Sequence, residues 1–222
     1  MEIIRKNPYR TIGLLVGATA REQERQIKRL KQFIEAEQKP DNDYSFAGLG
    51  EFERNIEHVN EAASKLNLDN DKMLAALFWF FKGSEITDEP AFEALKEFDL
   101  DGACSIWEKL VISPEVTKRN ASAINNLSII YLSGVLEGTN TAEAIYEKGI
   151  SLKIKFLESD FALALKELAT DETYKISKKE LQLLFLNQLH VELEKNGGIN
   201  NQKFIEILNK CEFTAKDRKS VV

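Results

Sequence analysis

The chain has 222 residues, of which 43% are apolar and 9% aromatic, and it carries a net charge of −6 at pH 7. This length and apolar content allow two modules with buried cores, and the dominance of Leu, Ala, Glu and Lys over alternating β-favouring runs predicts an all-α fold. The acidic body disfavours a nucleic-acid partner, and the N-terminus lacks the apolar stretch of a signal peptide. The longest apolar run, residues 73–81, is about half of the ~20 residues that a membrane span needs, so we expect a cytoplasmic protein with no membrane span.

The first predicted element is a short helix that starts at the dipeptide Asn7-Pro8. Asn7 is a favourable N-cap, and Pro8 fits the first helical position because its missing N–H has no helical partner there. The helix should end near Ile12, since Gly13 and Gly17 then let the chain turn.

The second predicted helix has one apolar face and one basic face. Thr19 with Glu22 forms a capping box that starts it, and it should reach about Glu37. The residues at core-facing spacing are Ile27, Leu30 and Ile34. The cations on the opposite face are Arg21, Arg25, Lys28 and Arg29. Residues 1–41 hold nine Lys and Arg against six Asp and Glu, a net +3 that leaves −9 for residues 42–222, so the two ends should prefer different partners.

A polar loop containing Lys39-Pro40-Asp41 comes next, and a returning helix follows it. The apolar residues of that helix recur in strict 4-3-4-3 order: Phe52, Ile56, Val59, Ala63 and Leu66. Two antiparallel helices can pack along such stripes, so this part of the chain is predicted to form a helical hairpin.

The order of these parts resembles the J-domain of DnaJ-type co-chaperones. The residues that match the usual start of a J-domain are Asn7-Pro8-Tyr9, Ile12-Gly13, and Ala18-Thr19 with Glu22. The resemblance covers roughly residues 5 to 80 and implies the J-domain fold. In that family a His-Pro-Asp loop and the basic helix engage a heat-shock chaperone of the seventy-kilodalton class and stimulate its ATPase. Here Lys39 replaces the histidine, and the tripeptide lies farther from Thr19 than the family pattern puts it, so the resemblance implies the fold and not the activity.

The run MLAALFWFFKG predicts a helix that is apolar around most of its circumference. Leu74, Leu77, Phe78 and Phe81 would share one side, with Trp79 and Phe80 nearby. Such a helix must be covered from two directions. We therefore expect it to join a J-domain-like module of residues 1–82 to a second helical domain of residues 83–212, which a polar tail of residues 213–222 follows.

The second domain shows a faint internal repeat and resembles an array of tetratricopeptide helix pairs. Ile106-Trp107-Glu108-Lys109 is echoed by Ile145-Tyr146-Glu147-Lys148 at an offset of 39 residues, against ~34 in that repeat family. One helix pair is predicted across Asp99 to Asp101, and further helices at 123–134 and 141–150. Ser177 with Glu180 should cap another helix that ends at 196–198, and Asn200 or Asn201 should start the last one, which carries Phe204 and Leu208.

The sequence offers little catalytic chemistry. Cys104 and Cys211 lack partners at metal spacing and are predicted to be reduced, and His58 and His190 are isolated among helical residues. Phosphate loops, paired-Cys motifs and nucleophile elbows do not occur in the sequence. We therefore expect no catalytic residue, no metal site and no cofactor.

The function expected from these features is a non-catalytic protein–protein interaction or adaptor protein, related to co-chaperones, whose partner is a heat-shock chaperone or a client protein. The candidate binding residues in the head are Arg25, Lys28, Arg29, Lys39, Pro40 and Asp41. In the helical domain they are Lys118, Asn125 and Asn126, on a groove between stacked helices. Two alternatives stay open: an active co-chaperone that uses Lys39-Pro40-Asp41, and an enzyme with an unrecognised site.

Overall fold

The fold is all-helical, as the composition predicts. A computed structural model describes residues 1–38, 40, 43–136, 142–196 and 199–216. The α-helices of these residues are α1 (Glu2–Arg5), α2 (Pro8–Ile12), α3 (Ala20–Glu35), α4 (Ile56–Lys65), α5 (Asp69–Leu77), α6 (Glu85–Lys96), α7 (Leu100–Val111), α8 (Ala121–Ser133), α9 (Ala142–Glu158), α10 (Phe161–Ala169), α11 (Lys178–Asn196) and α12 (Asn201–Lys210). Two short 3-10 helices, Ala47–Leu49 and Thr214–Lys216, complete them, and the described residues form no β-strand.

The start of the chain folds as its capping residues predict. The side chain of Asn7 accepts a hydrogen bond from the Tyr9 N–H, Pro8 is the first residue of α2, and Gly13 ends the helix with φ 78°. Asn7 is itself fully buried, and its Nδ2 donates to the Ala75 carbonyl at the end of α5. The N-cap therefore also fixes α2 against α5.

Helix α4 is shorter than predicted, because it begins at Ile56 and not at Phe52. Asn55 is its N-cap and accepts from the His58 N–H. Phe52 lies before the helix, under the guanidinium groups of Arg10 and Arg54 at 4.2 and 5.1 Å from its ring centroid. Of the remaining predicted stripe, Val59, Ala63 and Leu66 pack in the core, while Ile56 is 37% exposed.

Residues 73–77 are helical as predicted, but the aromatic residues 78–81 are not, which corrects the second half of that prediction. Helix α5 ends at Leu77, Phe78 and Trp79 turn away from it, and Phe80 and Phe81 continue through the core as a short extended segment. The Val16 N–H donates to the Phe80 carbonyl at 2.9 Å, and Val16 and Phe81 form an isolated parallel β-bridge. Trp79 and Phe80 are fully buried, as predicted. A run that is apolar at every position has no period from which helix and strand can be distinguished.

Helix α8 lies at the centre of the second half of the chain. Every one of its residues is buried, and both α7 and α9 pack against it. Helices α6 and α7 form the predicted pair, with Asp99 as the N-cap of α7. Helix α9 also contacts α10, α11 and α12. Because the buried residues of both halves form one continuous cluster, the aromatic segment after α5 lies inside a shared core.

The last helices begin where their capping residues predict. Ser177 and Glu180 form the capping box of α11, since each backbone N–H donates to the other's side-chain oxygen. Asn200 caps α12 by accepting from the Lys203 N–H, and Phe204 and Leu208 are buried. The predicted glycine stop at 197–198 lies outside the described residues.

Candidate functional site

The basic helix α3 presents the clearest surface feature of the chain. The capping box of Thr19 and Glu22 starts it, and the apolar stripe with Leu30 at its centre packs it against α2 and α4. It ends at Glu35, two residues before the predicted end. Since the packed side is fixed by these contacts, the opposite side must face solvent.

That opposite side carries the predicted cations. Arg21, Arg25, Lys28 and Arg29 are all exposed, and the row from the first to the last is about 12 Å long at 1.5 Å per residue. Within the described part of the chain, none of the four has an ion-pair partner. We call these four residues the basic face.

The loop after α3 contains the tripeptide that resembles the J-domain motif. Pro40 is half-buried, whereas Lys39 and Asp41 lie outside the described residues. Arg10 organises the segment that follows by donating to the carbonyls of Ser45, Phe46 and Gly50, and it also donates to the Arg5 carbonyl. Burial lowers the pKa of the Arg10 guanidinium to about 10. Arg54 pairs with Asp43 at 2.7 Å, so the segment behind the tripeptide is firmly anchored.

Of the candidates in the helical domain, only Lys118 is on the surface. It is exposed in the turn before α8. Asn125 and Asn126 are fully buried, so a partner cannot reach them in this fold. The groove interpretation of these two residues is therefore corrected: their helix is covered on all sides, and their amides bond to the chain's own backbone.

The two asparagines hold the extended aromatic segment in place. Asn126 accepts from the Phe81 N–H at 3.1 Å and donates to the Phe81 carbonyl at 2.9 Å. Asn125 donates to the Trp79 carbonyl at 3.2 Å and to Asn126 Oδ1 at 3.1 Å. Side-chain amides thus supply the hydrogen bonds that a neighbouring strand would otherwise provide.

A buried lysine completes this network, and our sequence reasoning missed it. Lys153 Nζ donates to Asn125 Oδ1, and the residue is 0% exposed. Burial lowers the pKa of this amine to about 7. A signal was present in the sequence, because Lys153 follows Ile150 by three residues and precedes Leu157 by four, which places it on an apolar helical stripe.

An open cleft of about 670 Å³ lies beside α9 and the end of α12. Its polar groups are largely engaged by the protein itself: Lys155 donates to the Ser113 carbonyl at 2.6 Å, and Glu158 accepts from Thr214. Cys211 lines the cleft as a half-buried thiol outside any disulfide, and its Sγ lies 3.8 Å from Ser151 Oγ. These pairings tie Lys155 and Glu158 to other parts of the chain.

The remaining candidate chemistry is also isolated. Cys104 is free and buried, and burial raises the pKa of its thiol to about 12. Groups of three or more His, Cys, Asp or Glu that could hold a metal do not occur among the residues that the structure describes. In the same described part of the chain, the helices are too short or too polar to cross a membrane.

The fold defines this chain as an all-helical protein with an exposed basic helix and a polar network in its core. No protein-family model, curated protein or solved structure matches it. A functional assignment therefore depends on its residues and geometry.

Proposed function

We propose that this chain is a non-catalytic protein-binding or adaptor protein, with a degenerate J-domain-like head, a tetratricopeptide-like helical domain and a cytoplasmic location. We further propose that the basic face of α3 contacts the acidic surface of a partner protein. The observation that supports this choice is the row of four exposed cations, which have no ion-pair partner among the residues that the structure describes. The other predicted surface is reduced to Lys118, because Asn125 and Asn126 are buried.

Charge complementarity is the physical basis of the proposal. The chain is acidic overall, so a basic row on one helix is a local exception that attracts acidic surfaces. Cations that were paired within the chain would already be neutralised and would attract an acidic partner only weakly. Unpaired cations on a rigid helix steer an acidic partner to one face and fix its orientation, although each exposed ion pair contributes little to affinity on its own.

The test is charge reversal on two matched surfaces. One variant combines Arg25→Glu, Lys28→Glu and Arg29→Glu, and the control combines Lys109→Glu, Lys118→Glu and Arg119→Glu. All six residues are exposed, and both variants change the net charge equally. Partners are captured from the source cell extract by cross-linking and quantified by mass spectrometry, with circular dichroism as a check of folding.

We expect the reversal on α3 to reduce capture of the main partner about tenfold or more, where tenfold equals about 1.4 kcal/mol of binding free energy. The control should bind as the wild type does, and added salt should weaken wild-type capture. Equal capture by all three proteins would argue against the basic face. Loss of capture in the control alone would move the site to the surface around Lys118.

A further inference from the structure

The most unusual group in the core is the amine of Lys153. It lies on α9, faces α8 and α11, and makes one hydrogen bond, to Asn125 Oδ1. The rings of Phe156 and Phe185 approach it, with centroids 5.7 and 5.9 Å from Nζ. An ammonium has three donors, so the charged form would leave two N–H groups without an acceptor in this site. The two rings can attract a cation, but they do not replace the missing acceptors of a charged amine.

On the helices that surround the amine, the described acidic groups have other partners or are exposed. On α9, Glu158 accepts from Thr214, and Glu147 pairs with Lys210 of α12. On α8, the hydroxyl of Tyr131 donates to Glu108 of α7.

The acidic groups of the other helices packed against α9 are also directed elsewhere, and on α12 Glu206 lies beside Lys203. On α11, Glu192 accepts from the Ile3 N–H, and Glu194 lies beside His190. On α10, Glu167 is exposed. Burial alone therefore lowers the pKa of Lys153, to about 7.

This amine is linked by hydrogen bonds to the extended aromatic segment. Lys153 bonds to Asn125, which bonds to Asn126 and to the Trp79 carbonyl, and Asn126 bonds twice to Phe81. We call Lys153, Asn125 and Asn126 the polar latch. A protonated amine of Lys153 can be solvated in two ways: water enters the core, or the hydrogen bonds of the polar latch open.

We propose that the polar latch is a proton-controlled conformational device: the uncharged amine of Lys153 holds residues 79–81 in place, and protonation of that amine releases them. Release of residues 79–81 would also break their hydrogen bonds to residues 14–16, in which the Val16 N–H donates to the Phe80 carbonyl and Trp79 Nε1 donates to the Leu14 carbonyl. Val16 lies three residues before Thr19, the cap of α3. The device is independent of the identity of any partner.

Amide hydrogen exchange of Phe81 and Val16, measured by NMR on the full chain, tests the proposal. Suppose that opening of the polar latch takes up one proton. Its opening equilibrium constant then increases about tenfold for each unit by which the pH falls, within the range between the ordinary pKa of lysine and the lowered pKa of Lys153. Between about pH 9 and about pH 7.5 the protection factors, corrected for intrinsic exchange, should fall about twentyfold. Lys153→Met should abolish this dependence, and Lys148→Met, an exposed lysine on the same helix, should keep it.

Protection that is independent of pH in the wild type, or that still depends on pH in Lys153→Met, would overturn the proposal. A second measurement does not require the variant to fold. The 13Cε resonance of Lys153 in the wild type should titrate near neutral pH, and a titration in the ordinary lysine range would equally overturn the device.

Discussion

Replacement of Trp79 by alanine tests how firmly the aromatic segment joins the two halves of the chain. Trp79 is fully buried, and its ring lies 5.1 Å from that of Phe80 and 6.2 Å from that of Phe46, measured between centroids. Loss of a large core aromatic typically costs about 3 to 5 kcal/mol of unfolding free energy. The Leu14 carbonyl also loses the indole donor at 2.8 Å, which adds about 1 kcal/mol. We therefore expect Trp79→Ala to lower the free energy of unfolding by about 4 to 6 kcal/mol.

Urea denaturation followed by circular dichroism measures this loss without depending on tryptophan fluorescence. Trp79→Phe is the matched control, since it keeps most of the apolar contact and removes the hydrogen bond to Leu14, and it should cost about 1 to 3 kcal/mol. Because the ring packs within one continuous core, both variants should unfold in a single transition. A loss below about 1 kcal/mol for Trp79→Ala, or easy quenching of Trp79 by iodide, would refute this reasoning.

Three further predictions concern charged groups. The pKa of Lys153 is lowered in the folded state, so the unfolding free energy of the wild type should rise as pH increases from about 7 to 10.5. Below pH 7 this group should change the unfolding free energy little. Urea titrations at several pH values should show that Lys153→Met flattens the rise. Arg10→Lys should destabilise the protein by about 3 kcal/mol in the same assay, because an ammonium cannot reach the four carbonyls that the planar guanidinium satisfies. The source organism's heat-shock chaperone ATPase should not be stimulated, because Lys39 occupies the histidine position; stimulation that Asp41→Ala abolishes would contradict this.

Local capping chemistry is the part of the fold that could be predicted from sequence. Asn7, Thr19, Asp99, Ser177 and Asn200 each accept a hydrogen bond from a backbone N–H at the start of a helix. Such bonds join residues two or three positions apart, so a single sequence contains all the information that they need. The exposed cations of α3 were predictable for the same reason, since helical spacing fixes the face on which they lie.

Contacts between distant residues account for what could not be predicted. Whether Phe78 to Phe81 continue α5 or leave it depends on Asn126, 45 residues away from Phe81, which supplies the bonds of an extended segment. The start of α4 was misplaced because Phe52 matched the apolar spacing, although its ring is used to cover Arg10 and Arg54. The period of the apolar residues indicates which face of a helix is buried, but not which other element packs against that face.

The asparagines of α8 show why residue type alone is a poor guide to a binding surface. An amide offers the same donor and acceptor to a bound peptide as to the chain's own extended backbone. Burial decides between the two, and Asn126 is buried against Phe81. On the other side of that segment, the Phe80 carbonyl accepts from Val16, just before the cap of α3 at Thr19. The core asparagines therefore fix the segment to which residues 14–16 are hydrogen-bonded, shortly before α3 begins.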